Sequence, residues 1–364
     1  MPDAREYARR SRRAALAALG VELAYLWGLP ASGLAQAWGA RLAGWTPWPW
    51  AVAVYVTGLA LPGTGLLLPL AWDRGYRLEQ TMGLSRERLG AWAWRWLKTQ
   101  TIGGVMLVAI AIGLSALLRA SPRYWWGWAA AAWVGWSVVL TQWMPVVLLP
   151  LFYRQRPLDN ATLAARLRAL TERCGLAAAG IYEIDFSRQT AKANACLCGL
   201  GATRRILLTD TLMHDYAPEE IETIVAHEIG HHRLRHLPRL LMLGALTASA
   251  SFWLVARWLP RGLASFGIAG PTALAALPVI AAVLSTLEVA WGPLQKGLSR
   301  RFERAADRFA LEVTRAPAAF IAAMRKLQRQ NLAEPEVSRW VEWCWYDHPP
   351  IARRVAMAEG WASS

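Results

Sequence analysis

Six apolar runs divide this sequence, and each is long enough to cross a bilayer as a helix, which takes about 20 apolar residues. Hydrophobic residues make up 55% of the 364 residues, and they collect in these runs. The first run contains Glu22 and Pro30, so the alternative for this run is an interfacial or re-entrant helix. The pattern predicts a mainly α, polytopic membrane protein with about six transmembrane helices, in a range of five to seven. The runs cover roughly 14–38, 49–72, 101–119, 124–152, 238–259 and 265–292.

Basic residues are distributed unevenly among the polar segments. The net charge is +15, and its arginines and lysines concentrate before the first run and in the loop 73–100. The alternate connections 39–48, 120–123 and 260–264 are nearly free of charge. Because basic loops stay in the cytoplasm, we expect the N-terminus and both large polar blocks to be cytoplasmic, facing anionic lipid headgroups. The Ala-, Arg- and Trp-heavy composition and the short loops favour a bacterial plasma membrane.

Tryptophan is abundant, and many of its 22 copies lie at the edges of the apolar runs. This position is typical of the aromatic belt at the headgroup level of a membrane. An aromatic surface for nucleic-acid binding would instead interleave these rings with basic residues in a soluble module. We therefore expect a lipid bilayer as a partner and no nucleic acid.

Four of the six histidines lie in "ETIVAHEIGHHRLRH", residues 222–236. The surrounding apolar spacing predicts a helix, on which His227 and His231 lie one turn apart on one face. Two imidazoles in that relation can bind one zinc ion, and the neighbouring Glu228 can reach a water on it. This H-E-x-x-H pattern predicts a zinc-dependent hydrolase.

The other two histidines, His232 and His236, fall about 140° and 180° away from His227 on an ideal helix. We expect them to face solvent or headgroups. The alternative for the whole stretch is an amphipathic helix with incidental histidines, because so short a motif arises by chance in about one chain in a hundred. A third ligand is needed to decide between the two.

The best candidate for that ligand is in "GLSRRFERAADRFALEV", residues 297–313. Glu303 and Asp307 share a helix face with small residues, and two membrane crossings return this segment to the side of the histidines. A catalytic zinc needs three protein ligands and one open position, so we expect Glu303 to be the third. The alternative is a charged helix at the membrane surface. Glu288, inside a membrane run, and His348, in a separate segment, are poorer ligands.

"HEIGH" together with "ERAAD" resembles the type-one CAAX prenyl protease family of gluzincin metallopeptidases, whose pattern is H-E-x-x-H followed by E-x-x-x-D. Three further stretches, 150–170, 192–213 and 347–354, are similar to the family's entry into the catalytic domain, its edge strand and its His-Pro-Pro segment. The resemblance covers residues 150–364 well. It implies one Zn²⁺ per chain and these roles: His227, His231 and Glu303 bind zinc, Glu228 is the general base, Asp307 orients a ligand, His348 and Arg354 face the oxyanion, and Asn194 and Ala195 lie along the substrate backbone.

The sequence departs from the family pattern in two features. The prenyl proteases have seven membrane helices around a large chamber, against six expected here. Their edge strand carries an aromatic residue after Asn-Ala, where this chain has Cys196. A related HtpX-like quality-control protease has two membrane helices before the zinc motif, whereas four are expected here, which favours the prenyl-protease side.

Two of the four cysteines form "CLC", residues 196–198. This spacing differs from the usual C-x-x-C of metal sites, so we expect two thiols on opposite sides of a strand and no metal there. All four cysteines lie in the two polar blocks that we expect to be cytoplasmic. Disulfides are rare in the cytoplasm.

The leading hypothesis is an integral-membrane zinc metalloendopeptidase acting at the cytoplasmic face on a peptide or membrane-anchored protein that carries a lipid or is embedded in the bilayer. One alternative is an HtpX-like quality-control protease for damaged membrane proteins. Another is a non-catalytic scaffold or transporter with structural zinc, although such sites are closed and usually rich in Cys.

We expect a zincin-like α+β domain split by two membrane helices: 1–152 as the N-terminal transmembrane region, 153–237 and 293–364 as the two catalytic parts, and 238–292 as the helices between them.

Overall fold

The computed structural model describes residues 3–42, 44–176, 180–199 and 203–363. Within these ranges six helices are long and apolar enough to cross a membrane, which confirms the expected number. Their exposed apolar side chains, such as Leu61, Val105 and Leu246, form a surface suited to lipid.

The N-terminal part is a set of membrane helices. α1 (Ala4–Ala31) turns at Gly33 into the short α2 (Leu34–Leu42), and Gly33 permits the turn because its φ is +77°. α3 (Trp48–Trp72) begins after Pro47 and continues through a π-helical turn, Asp73–Arg77, into α4 (Leu78–Thr81). α5 (Leu89–Ala120) and α6 (Trp125–Trp143) complete this part, and irregular helical turns extend the last span to Leu151.

A four-stranded sheet follows in the first polar block. The strands are β1 (Gln155–Pro157), β2 (Ile181–Ile184), β3 (Ala195–Cys198) and β4 (Arg205–Thr209), in the order β1-β2-β4-β3. β2 pairs with β4 in parallel, and the outer strands pair antiparallel, so β3 is an edge strand. Residues 200–202, between β3 and β4 in sequence, lie outside the described residues.

Helices cover this sheet and continue into the membrane. α7 (Ala161–Arg173) precedes β2, and α8 (Asp210–Asp215) leads into α9 (Pro218–Arg233), the histidine-rich helix. α10 (His236–Ser265) and α11 (Ala276–Thr314) form the last two spans. α11 is a single 39-residue helix that carries the chain from the last crossing directly to Glu303 and Asp307, as the spacing predicts.

The C-terminal helices are α12 (Pro317–Gln330), α13 (Arg339–Trp345) and α14 (Ile351–Ala362). One apolar core joins both polar blocks, although two membrane helices separate them in sequence. It includes side chains from α7, β4, α9, α11 and α12: Leu167, Leu208, Val225, Ile229, Leu311 and Phe320. Burial of these large side chains holds α9 and α11 in register with the edge strand.

Candidate active site

α9 and α11 approach each other closely at Gly230, the third residue between the histidines of the motif. A Cβ atom added there would lie 3.1 Å from the ring of Phe309 and 3.2 Å from Cα of Ala306. The absence of a side chain at Gly230 therefore lets the backbones approach, which brings the imidazoles of α9 within reach of the carboxylates of α11.

Three donor atoms converge at this contact. The Nε2 atoms of His227 and His231 lie 3.1 Å apart, and the Glu303 carboxylate lies 3.2 Å from the first and 3.3 Å from the second. One ligand atom from each residue can be chosen so that all lie within 4.8 Å of one another. The structure thus brings together the three residues that the sequence predicts as ligands.

The chemistry of these donors fits a zinc ion. Oε2 of Glu303 is buried and has no hydrogen-bond partner among the described residues, although it lies close to the His227 ring. Donors at 2.0–2.1 Å from a tetrahedral zinc would be separated by about 3.3 Å, which matches the observed spacings. Two imidazoles and one carboxylate are also a common ligand set of catalytic zinc, and they leave one position open.

Asp307 and Arg354 lie close to Nδ1 of His227, the ring nitrogen that does not face Glu303. Oδ1 of Asp307 lies 2.8 Å from Nδ1 of His227, and the Arg354 guanidinium donates two hydrogen bonds to the same carboxylate. Burial is the largest influence and lowers the pKa of His227, but the hydrogen bonds with Asp307 and Glu303 and the charge of Asp307 together outweigh it and raise that pKa to about 9. The environment therefore stabilises positive charge at this ring.

This arrangement changes the expected role of Arg354. The resemblance implies that its side chain faces the oxyanion, whereas Nε and one terminal nitrogen are bonded to Asp307 and the residue is buried. The same terminal nitrogen lies 3.4 Å from Nδ1 of His227. A buried carboxylate needs a paired cation, so Arg354 neutralises and orients Asp307.

His236 is buried against the site, so its predicted exposure to solvent or headgroups is wrong. α9 ends at Arg233, and Arg235 adopts a left-handed conformation with a φ of 54°, which turns His236 back toward the ligands. Its Nδ1 lies 3.1 Å from Nδ1 of His231, and its ring stacks on Phe302. Helical spacing alone misses this contact because the helix does not continue to residue 236.

Glu228 lies beside the free edge of β3. Its Oε2 accepts a hydrogen bond from the backbone N–H of Leu197 at 3.3 Å. His232, also expected to face solvent, instead lies with Nε2 at 2.8 Å from the carbonyl oxygen of Leu197. Burial lowers the pKa of His232, which favours a neutral ring that donates this hydrogen bond.

His348 lies on the open side of the three donors. Its Nε2 is 3.3 Å from Oε1 of Glu303, its Nδ1 is 2.8 Å from Asp347, and half of its side chain is exposed. Buried Arg300 of α11 holds the preceding segment by donating to the carbonyl oxygens of Glu342 and Tyr346. Thus His348 is available to a ligand in the cleft.

The other predicted substrate contacts belong to the edge strand. Asn194 is exposed immediately before β3, and the buried side chain of Ala195 faces the core. Asn194 binds Thr209 of β4 through its backbone, so its side chain is free of that pairing.

Cys196 and Cys198 lie on the same face of β3, so the expected arrangement on opposite sides is wrong. Side chains two residues apart in a strand point to the same side. The hydrogen bond between the two thiols, together with burial, raises the pKa of Cys196.

Two family models match this chain. The model described as Peptidase family M48 matches residues 157–362, which is more than half of the chain. The chain belongs to peptidase family M48. Residues 3–154 match the model described as CAAX prenyl protease N-terminal, five membrane helices. The described part of that range has four helices of crossing length and the shorter α2. The M48 chain is therefore a membrane metallopeptidase that resembles the CAAX prenyl proteases.

Relatives of this M48 chain include the uncharacterized metalloprotease YhfN of Bacillus subtilis, 28% identical over 309 residues, which are 84% of this chain and 72% of that protein. The CAAX prenyl protease 1 homolog of Oryza sativa is 28% identical over 65% of this chain, and the chain spans only 55% of its length. The crystal structure of S. mikatae Ste24p superposes with a TM-score of 0.86 over 98% of this chain and 88% of that one, at 21% identity. The two chains share their fold.

Proposed function

We propose that this chain is a zinc endopeptidase that cleaves lipid-anchored or membrane-embedded peptides at the cytoplasmic face. One observation carries the proposal: His227, His231 and Glu303 converge beside Glu228 at the end of a helix that leaves the membrane. Structural zinc sites are closed and usually rich in cysteine. A site of two histidines and one carboxylate beside a further carboxylate supports catalysis over a scaffold role.

Glu228 is the proposed general base. When bound by the two imidazoles and Glu303, zinc would act as a Lewis acid that makes a water molecule more acidic and polarises the peptide carbonyl. The Glu228 carboxylate accepts a proton from the attacking water and then delivers it to the leaving amine. The hydrogen bond that it accepts from the Leu197 N–H, at 3.3 Å, holds this carboxylate beside the strand along which a peptide would lie.

His348 is the proposed donor to the carbonyl oxygen as that oxygen gains negative charge. Its hydrogen-bonded neighbour Asp347 orients the ring, and its exposure leaves Nε2 accessible. Asp307 and Arg354 act at a distance from the substrate, because they orient His227. Asn194 and Ala195 are the proposed contacts along the substrate backbone.

The substrate class follows from the position of the site. α10 follows the ligand-bearing α9 directly, and α11 both crosses the membrane and carries Glu303. A peptide held at the membrane would therefore be present at a high effective concentration near the cleft. The basic N-terminus and loop 73–100 support a cytoplasmic site, and the composition supports a bacterial plasma membrane. Relatives named CAAX prenyl protease 1 favour a C-terminal lipidated peptide over a general unfolded protein.

The test uses the full chain in lipid nanodiscs with zinc analysis and three substrates: a farnesylated C-terminal peptide, the same peptide without the lipid, and casein. We expect the first to be cleaved with the highest kcat/KM, and phenanthroline to stop cleavage. Preferential cleavage of casein would support the quality-control activity instead. No cleavage of any substrate by a zinc-loaded chain would support the scaffold.

Variants separate metal binding from turnover. Glu228→Gln should retain one zinc and lose about 10²- to 10⁴-fold in kcat, the usual contribution of a general base. His227→Ala should lose both zinc and cleavage. Glu219→Gln is the matched control, because Glu219 is exposed at the start of the same helix and its side chain pairs with Arg166, away from the zinc ligands. Wild-type cleavage by Glu228→Gln would contradict the mechanism.

A further inference from the structure

The free edge of β3 offers backbone groups only at alternate residues. In the antiparallel pairing with β4, Asn194, Cys196 and Cys198 lie opposite Thr209, Leu207 and Arg205, and the N–H of Thr209 donates to Asn194. The N–H and C=O groups of Ala195 and Leu197 therefore point away from β4, where a substrate strand would add.

Leu197 is already occupied on this outer edge. Its N–H donates to Glu228 and its C=O accepts from His232, so two side chains of α9 take the place of a neighbouring strand.

Ala193 is occupied in the same way from the other direction. Its N–H donates to Oδ1 of Asn331 at 3.0 Å, and its C=O accepts from Nδ2 of Asn331 at 3.1 Å. One side-chain amide thus satisfies both groups, as a strand residue would. Two residues earlier, Ala191 donates to the carbonyl of Leu84 and accepts from Gln330. Ala195 lies between Ala193 and Leu197, and its N–H and C=O have no hydrogen-bond partner among the described residues.

Asn331 is held firmly in this position. Its backbone N–H caps α12 by donating to Leu327, and the next residue, Leu332, adopts a left-handed conformation with a φ of 49°. That conformation directs Leu332 into a small core with Leu78, Met82 and Leu84. The core joins the end of α12 to the segment that follows α4, and so fixes the backbone of Asn331 beside Ala193.

We propose that Asn331 is a specificity-determining residue that restricts substrate backbone pairing on β3 to Ala195. This inference rests on the proposed peptidase function. A peptide pairs through two backbone hydrogen bonds at one residue, and its next outward-facing groups meet either the Asn331 amide or the Glu228 and His232 side chains. Such a short register contributes little affinity, so an efficient substrate needs a second attachment such as a lipid anchor.

Hydrogen exchange tests the geometry without any substrate. In the full chain in nanodiscs, the amide of Ala195 should exchange at least about tenfold faster than those of Ala193 and Leu197. Asn331→Ala should speed exchange at Ala193 and leave Ala195 unchanged. Asn331→Asp, which keeps an acceptor for the Ala193 N–H but cannot donate to its C=O, should retain protection at Ala193. Equal protection of Ala195 and Ala193 in the wild type would overturn the proposal.

A backbone-methylation scan tests the consequence for substrates. In the farnesylated peptide, N-methylation at one residue should raise KM about fivefold, the worth of one hydrogen bond, and methylation two residues away on either side should have no effect. Asn331→Ala should create sensitivity at a second position while kcat is unchanged. Wild-type sensitivity at two or more alternate positions, or an unchanged profile in Asn331→Ala, would overturn the proposal. A chain that cleaves nothing fails the proposed function, whereas the exchange pattern still judges the role of Asn331.

Discussion

The carboxylate of Asp307 lies 2.8 Å from Nδ1 of His227, and this contact directs the opposite nitrogen, Nε2, toward Glu303 at 3.2 Å. A proton on Nδ1 leaves Nε2 with a free lone pair, which is the form of imidazole that binds a metal. Partners of this kind hold a histidine ring in one tautomer and orientation.

Asp307→Asn should therefore weaken zinc binding. The amide has nearly the same shape but no charge, and it can present a donor to Nδ1 and so favour the wrong tautomer. Loss of such a partner typically lowers metal affinity 10- to 100-fold. Competition with a chromogenic chelator measures the affinity, and excess zinc should restore part of the cleavage. Asp347→Asn, which changes an exposed carboxylate in contact with His348, is the control. Equal zinc affinity in Asp307→Asn and the wild type would contradict this role.

Zinc should also stabilise the fold, because the ligands come from two helices that the metal would join. Binding to the folded state alone contributes about 4 kcal/mol at a free concentration 1,000 times the Kd. We expect zinc to raise the thermal unfolding midpoint of the metal-free wild type. His231→Ala should show no such rise, and Glu219→Gln should behave as the wild type. A rise of equal size in His231→Ala would indicate a zinc site elsewhere.

Local periodicity and topology sufficed to predict the residues that meet at this centre. His227 and His231 share a face because four residues make about one helical turn. Glu303 could be found because two crossings return the chain to the same side. The six membrane-spanning helices could also be predicted, because a helix that crosses a bilayer requires a long apolar run.

Contacts that depend on a break in a helix or on tertiary packing could not be predicted in this way. Arg235 leaves the helical region without a glycine to signal it, so helical spacing predicts the wrong surface for His236. Asn331 meets Ala193 across 138 residues of sequence, and no spacing rule connects them. The role of Arg354 follows from the resemblance alone, because its contact with Asp307 depends on how α14 packs against α11. For Cys196 and Cys198, the two-residue period of a strand is sufficient to predict that both side chains lie on the same face.

Gly230→Ala should weaken both stability and zinc binding. Alanine favours a helix by about 1 kcal/mol over glycine. The new Cβ would meet backbone at Ala306, which yields less than a side chain, and such overpacking costs about 1–3 kcal/mol. We expect a lower unfolding midpoint and a lower zinc affinity, because α9 and α11 move apart. Gly360→Ala in α14, where the new Cβ would have no described atom within 4 Å, should be neutral or stabilising. If both variants gained stability equally, the close approach would not matter.

Glu334 connects the C-terminal block to the first membrane helix. Its carboxylate accepts hydrogen bonds from Arg12 of α1 and from the hydroxyl of Tyr346, at 2.7 Å for the latter. Burial raises the pKa of Glu334, but the hydrogen bonds from Arg12 and Tyr346 and the positive charge of Arg12 together outweigh it, so the pKa is lowered. A group whose pKa is depressed by folding stabilises the protein above its unfolded pKa, and this contribution is lost as the pH falls through the folded value.

Glu334→Gln should consequently destabilise the chain at pH 7.5 by about 1.5–3 kcal/mol, the contribution of a hydrogen bond to a charged group. The difference from the wild type should shrink as the pH falls below about 4, because the wild-type carboxyl then becomes neutral as well. Thermal unfolding in detergent at a series of pH values measures this convergence. Glu336→Gln, at an exposed position two residues away, should follow the wild type throughout. A constant difference between Glu334→Gln and the wild type down to pH 3 would mean that packing, and not the ionised carboxylate, supports the contact with α1.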